Sequence, residues 1–159
     1  MNHTRVLDAV REFLNSSGVA FREKQHQPTF TSAESAEARG ESLSIGAKAL
    51  VIKADERFCL LVLPADRKLD SRAARRNLNA KKIRFASAEE LRELTGLAPG
   101  SVPPFGPPVL ALPLYADPLI CRNEQMAFNA GSLTDSIVMA TADYRRIAGA
   151  TWVDLAEAD

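Results

Sequence analysis

KALVIKADERFCLLVLP, residues 48–64, holds two apolar runs on either side of Ala54-Asp55-Glu56-Arg57. Two β-rich runs parted by a short polar break read as a hairpin, and the near-continuous apolar character of each arm predicts strands buried on at least one face. Pro64 ends the second arm, because a proline inside a central strand removes a ladder donor. The unusual feature stands at the entrance. Lys48 follows Gly46 and Ala47, where an apolar residue is the easy choice. Lys48 and Lys53 are five positions apart, so in an extended strand they point to opposite faces. Lys53 adjoins the turn and is expected in solvent. Lys48 sits among small neighbours that let a ligand approach its ammonium, which makes it the candidate functional lysine.

Working outward, Val6, Leu7, Val10, Phe13 and Leu14 form one helical stripe over about 4–17, with Gly18 as its stop. A short strand, VAFRE, leads into a turn at His26-Gln27-Pro28. Thr31 and Glu34 then have capping-box spacing for a second helix that runs to Gly40. Beyond the hairpin, helical patterns cover 70–78 and 87–95, the latter opened by a second box, Ser87 to Glu90, with the strand KIRFA between them. Residues 96–108, GLAPGSVPPFGPP, contain three glycines and five prolines, too many for helix or central strand. Leu97, Val102 and Phe105 make this an ordered loop packed on the body. Strands near VLALPLY, MAFNAG and SIVMA, a helix from Thr141 to Ala148 and a last strand, TWVDL, complete the chain. Helices and strands interleave without a regular βαβ period. The expectation is an α+β fold: a single compact domain over 1–159 with a mixed β-sheet surrounded by helices.

Composition narrows the function classes. The 159 residues suffice for one domain that buries roughly 70% of its unfolded surface. Twenty Lys and Arg balance twenty Asp and Glu, so any polyanion contact must come from a local patch. The N-terminal stretch has charges scattered through its apolar positions and no continuous apolar core, so neither a signal peptide nor a membrane span is expected, and the reading is cytoplasmic. Cys59 and Cys121 form no CxxC pair, and Cys59 inside FCLLVL reads as a small core residue. GxSxG, HExxH, GxxxxGK[ST] and GxGxxG are all missing. His3 stands near the terminus, so His26 is the imidazole on which chemistry could draw, and a metal site built on several histidines is excluded on supply.

Four further features could carry function. His26, at a strand end, is a turn residue or a contact at a pocket edge. The loop Gly100-Ser101-Val102-Pro103-Pro104-Phe105-Gly106 has prolines that fix φ and glycines that let backbone N–H groups turn toward a reacting carbonyl, as an oxyanion site requires. Asn129-Ala130-Gly131 closes a short apolar strand, where an asparagine can both donate and accept. Arg72, Arg75, Arg76, Lys81, Lys82 and Arg84 place six cations in thirteen residues, either a solvated face or a grip for phosphates.

Together these residues resemble the YbaK/ProX family of freestanding aminoacyl-tRNA deacylases, related to the editing domain of prolyl-tRNA synthetases. The resemblance runs from the His26-x-Pro28 turn through TSAESAEARG, the Lys48 strand, LPADRKLD, LTG, GSVPPFG and FNAGS to SIVMATADYRRIAG. Its most diagnostic piece is the ordered trio of lysine strand, GxxxP loop and FNAG. Where the family commonly has SPFG this chain has PPFG, so Pro103 offers no hydroxyl; that departure and the FNAG ending bring it closest to the YeaK-like branch.

The resemblance implies hydrolysis of the ester between a wrong amino acid and the terminal adenosine of tRNA, with no metal or other cofactor. Lys48 and the Gly100–Pro104 backbone would hold the substrate end and stabilise the oxyanion. Size exclusion points to a small amino acid, alanine, serine or threonine. Asn129 and Ser136 are candidates for polar contacts, and Phe30, Phe105 and Met139 for apolar walls. His26, Thr31, Ser101, Pro104 and Gly131 are placed around the same end. Arg72, Arg75, Arg76, Lys81 and Lys82 would hold the acceptor stem. The partner implied is tRNA, with a synthetase partner left open. The alternative is a non-catalytic module that binds an acceptor stem or a synthetase.

Overall fold

The hairpin is the centre of the structure, a computed structural model that describes residues 2–158, with side chains from residue 5 onward. β2 (Ala47–Ala54) and β3 (Arg57–Pro64) pair antiparallel in register from Ala47 with Pro64 to Ala54 with Arg57. Asp55 takes φ 54° in the two-residue turn, a conformation that Asp tolerates better than branched residues. Its carboxylate accepts from the backbone N–H groups of Lys81 and Lys82, which holds the pKa of Asp55 below its usual value.

Two sheets stand where one mixed sheet is the expectation. The five-stranded sheet is mixed, in the order β4-β2-β3-β5-β8, with β4 Ile83–Phe85, β5 Leu114–Ala116 and β8 Thr151–Trp152. The second sheet is antiparallel and three-stranded, in the order β1-β7-β6, with β1 Phe21–Gln25, β6 Gln125–Asn129 and β7 Asp135–Ala140. The main core lies between them. It joins Val51, Leu60 and Val62 of the larger sheet to Phe128, Ile137 and Met139 of the smaller one. Val6, Leu7, Val10 and Leu14 of α1 (Asn2–Ser16) close it. A second cluster covers the other face of the hairpin, where Ile52, Cys59 and Leu61 meet Ala74 and Leu78 near α3 (Ser71–Asn77). Burial raises the Cys59 thiol pKa to about 11, in keeping with an inert core cysteine.

α2 (Ser32–Arg39) and α4 (Ala88–Thr95) both form the capping boxes expected from the sequence, from Thr31 with Glu34 and from Ser87 with Glu90. Gly40 and Gly96 end them at φ 74° and 77°. α5 (Thr141–Ile147) follows β7 directly. VLALPLY shortens to the three residues of β5, because Pro113 has no N–H to give and the preceding segment is held in turns by Gly106 O, which accepts from Val109 and Leu110. Loop 96–108 is packed on the body as expected, with Leu97, Val102 and Phe105 buried. No helix of the described residues is long and apolar enough to cross a membrane.

Candidate active site

β4 covers the edge of β2 only at Ile52, Lys53 and Ala54. Beyond its end, the edge from Ala47 to Leu50 borders a cavity of about 210 Å³, below the usual size of a drug-binding pocket and suited to a small group. Ala47, Lys48, Ala49 and Leu50 all line it. Side chains in a strand alternate in direction, so four successive residues line one space only when that space faces the strand edge. Opposite stand Phe30, Thr31, Ser32 and Ser35 from the start of α2, Arg39 from its end, Asn129 from β6, and Gly100 with Val102 from the loop. The expected residues Phe30, Thr31, Lys48, Gly100 and Asn129 therefore meet at one cavity.

Lys48 is half-buried, and its ammonium has no hydrogen bond or ion pair among the described residues. Burial lowers its pKa, offset in part by the charge of Asp66. Lys53 differs from its expected full solvation: it lies over the Phe58 ring, 5.7 Å from the centroid. Gly46 serves the fold rather than a ligand, since a Cβ there would sit 2.9 Å from the Ala65 Cβ.

Arg39 is the residue that sequence reasoning missed. It is 7% exposed, and burial lowers its pKa to about 10. Its Nε donates to Ser136 Oγ at 3.0 Å and its Nη2 to Asn129 Oδ1 at 3.2 Å. A guanidinium only donates, so the Asn129 oxygen must face Arg39 and the amide nitrogen must face away. That nitrogen donates to Gly100 O at 2.6 Å and to Ser35 Oγ at 3.4 Å. Ser35 in turn bonds Thr29 at 2.7 Å. A signal for it does exist in the sequence: Ser35 and Arg39 are i and i+4 on a helix with little apolar content, so its buried face had to include polar groups.

His26 lies behind this network, not among the lining residues. Its Nδ1 is 2.8 Å from Gln27 O and its Nε2 is 2.8 Å from Ser136 Oγ, whose hydroxyl is also within reach to donate to Asn129 Oδ1 at 3.2 Å. Ser136, fully buried, supports Arg39 and Asn129 from below and does not line the cavity. Phe105 and Met139 are core residues rather than pocket walls. Phe105 packs within 5.6 Å of the rings of Phe13, Phe128 and Tyr144, and Met139 is buried between the sheets. Pro104 anchors the loop, its carbonyl accepting from Tyr144 Oη at 2.7 Å. Ser101 turns its hydroxyl to Ala98 O at 2.7 Å, away from the cavity. Gly131 is needed for packing, because it has φ 84° and a Cβ would meet Val6 Cγ1 at 2.8 Å.

In the loop, Ser101 N–H is spent on Ala98 O. The N–H groups of Gly100 and Val102 make no hydrogen bond among the described residues, and both residues line the cavity. Arg72, Arg76, Lys81 and Lys82 are exposed and Arg75 is half-buried. Arg84, by contrast, is committed to Glu90 at 2.8 Å, a contact that holds the Glu90 carboxyl down at about 2.

The cavity brings together a cation and two loop residues with unspent N–H groups, a set able to bind and polarise a carbonyl oxygen. A family profile described as "Aminoacyl-tRNA editing domain" matches residues 26–147, and the chain belongs to that family. It is 38% identical over 142 residues to the multifunctional Ser/Thr-tRNA deacylase ProXp-y of Escherichia coli K12, covering 85% of this chain and 83% of that protein. It is also 38% identical over 97 residues to a proline–tRNA ligase of Shouchella clausii, an alignment with 61% of this chain and 17% of the ligase. A solved structure provisionally described as a trans-editing enzyme for prolyl tRNA synthetase superposes with a TM-score of 0.81 at 28% identity, over 96% of this chain and 98% of that one.

Proposed function

We propose that the chain is a trans-editing deacylase that hydrolyses the ester of mischarged aminoacyl-tRNA carrying a small amino acid. The observation that carries this reading is an unpartnered, half-buried Lys48 on a cavity of about 210 Å³ that is also lined by Gly100 and Val102, whose N–H groups make no hydrogen bond among the described residues. The relative named for Ser/Thr-tRNA deacylation supports serine and threonine, and the cavity's size supports alanine as well.

Water adds to the ester carbonyl carbon, and its proton is relayed through a neighbouring ribose hydroxyl, which hands its own proton on to the ester oxygen that leaves. The negative charge that develops on the carbonyl oxygen is met by the loop amides and the Lys48 ammonium. Collapse breaks the acyl C–O bond and releases the amino acid, the relayed proton leaving the ribose oxygen as a neutral hydroxyl. One oxyanion donor is commonly worth about 100-fold or more in rate.

The tRNA end fits the surface around the cavity. Phe30 is 71% exposed at the rim and can stack on the terminal base. It occupies the position before the N-cap, where an apolar residue usually packs on the fourth helical residue, but that residue here is polar Ser35. β4 continues along the same strand edge, carrying Phe85 at 60% exposure opposite Ile52, about 10 Å from Ala49 at strand rise. Lys81 and Lys82 precede β4 and are exposed, available to the phosphates of the acceptor stem.

The test is a panel of tRNAs charged with labelled alanine, serine, threonine and larger amino acids. Release of the small ones, with the large ones retained, is the expected result. Binding without release from any charged tRNA assigns the chain to a non-catalytic module instead.

A further inference from the structure

Inside β2 and β3 the backbone bonds alternate, and the alternation can be read from what lies outside the pair. Leu60 N–H donates to Pro113 O at 2.8 Å, Val62 O accepts from Asp117 at 2.9 Å, and Val51 O accepts from Ala86 at 2.9 Å. These groups all point away from the hairpin, so Val51 with Leu60 and Ala49 with Val62 are its non-hydrogen-bonded pairs. Both backbone groups of Ala49 therefore face outward. β4 has ended before this position, and β6 meets the same edge only at Gly46 with Ala127, so among the described residues no strand is paired to Ala49 on this side. Ala49 is half-buried and lines the cavity.

A second observation concerns charge. The substrate of the reaction proposed above carries an α-amino group, which needs an acceptor. No Asp or Glu lines the cavity, whereas two cations, Lys48 and Arg39, do. The Gly100 carbonyl and the Asn129 oxygen are already engaged. The Ala49 carbonyl is an outward-facing acceptor at this wall, with no strand paired to it.

We propose that the open peptide edge of Ala49 is the seat for the backbone of the aminoacyl group. The substrate's α-amino group donates to Ala49 O, and Ala49 N–H donates to the substrate's acyl oxygen. A hydrogen-bonded antiparallel pair joins one residue to one residue through both of their backbone groups, so a single amino acid supplies the complete match. The substrate extends the sheet by one residue, beyond the end of β4. This seat accepts any side chain, leaving the choice among amino acids to the cavity walls.

The inference rests on the proposed reading of the site, yet its test separates the two. ¹⁵N-labelled protein is titrated with 3′-deoxy-3′-(serylamino)adenosine, a hydrolysis-resistant amide, and with its counterpart lacking the α-amine. The Ala49 amide resonance should move downfield with the first, and the second should bind at least tenfold more weakly. Ala49→Pro removes the donor at an edge position where proline is tolerated, and should lower hydrolysis of seryl-tRNA by about 100-fold or more. An unmoved Ala49 resonance, or equal binding of the two amides, overturns the seat even if Ala49→Pro fails to fold. A shifted Ala49 resonance in a protein that releases no amino acid overturns the reaction and leaves the seat standing.

Discussion

Arg39 shows how one buried donor orients a whole site. Because it cannot accept, it fixes the Asn129 amide, which then grips the Gly100 carbonyl and sets the peptide planes of the loop. Arg39→Met and Asn129→Ala should each lower the deacylation rate about tenfold or more. Their effects should not add, with a coupling of roughly 0.5–3 kcal/mol in a double-mutant cycle on kcat/KM. Additive losses contradict the relay. Lys48 makes a second prediction at this scale. Its folded pKa lies below the unfolded value because burial penalises the ammonium. That penalty is present throughout the pH range below the folded pKa and is relieved as pH rises through it toward about 10.4. Lys48→Met should thus be no less stable than the parent near pH 7 in thermal unfolding. Activity that depends on the ammonium should fall on the alkaline side before an ordinary lysine titrates, and Lys48→Arg should move that fall to higher pH.

At the scale of elements, local sequence dictates local structure wherever the physics is local. The stripe of Val6, Val10 and Leu14, the two capping boxes and the hairpin turn all depend on residues within a few positions of one another, and all form as expected. What is not legible is which strand edge stays open. That depends on β4 pairing with only three positions of β2, because the chain turns away after the Ala86 bond to Val51 O and enters α4 at the Ser87 cap. Phe105 illustrates the same limit: its place in an aromatic cluster with Phe13, Phe128 and Tyr144 joins four distant segments. Gly131 reads in sequence as part of a functional turn, but its cause is the close approach of α1. Gly131→Ala forces a β-carbon onto Val6 and strains a left-handed backbone, which alone costs about 1–2 kcal/mol. A fall in Tm of several degrees is the expected readout, and an unchanged Tm contradicts the packing account.

At the scale of the molecule, zero net charge conceals an uneven surface. Arg72, Arg76, Lys81 and Lys82 stand exposed with no carboxylate in ion-pair reach among the described residues, while Arg84 and Arg122 are neutralised by Glu90 and Asp66. If the first group meets phosphates, log K for tRNA should fall linearly with log salt, and replacing Lys81 and Lys82 with Ala should flatten the slope by about 0.7–0.9 for each phosphate no longer neutralised. An unchanged slope removes that face from the tRNA path. In the proposed reading the cavity and loop take the acyl end while the basic residues take phosphates, and the residue at the centre of that reading is the lysine at the mouth of β2. The most direct measurement is single-turnover deacylation of seryl-tRNA by Lys48→Ala beside the parent, with far-UV circular dichroism on both. The account predicts a loss of about 100-fold or more with an unchanged spectrum; parental activity in the folded variant contradicts it.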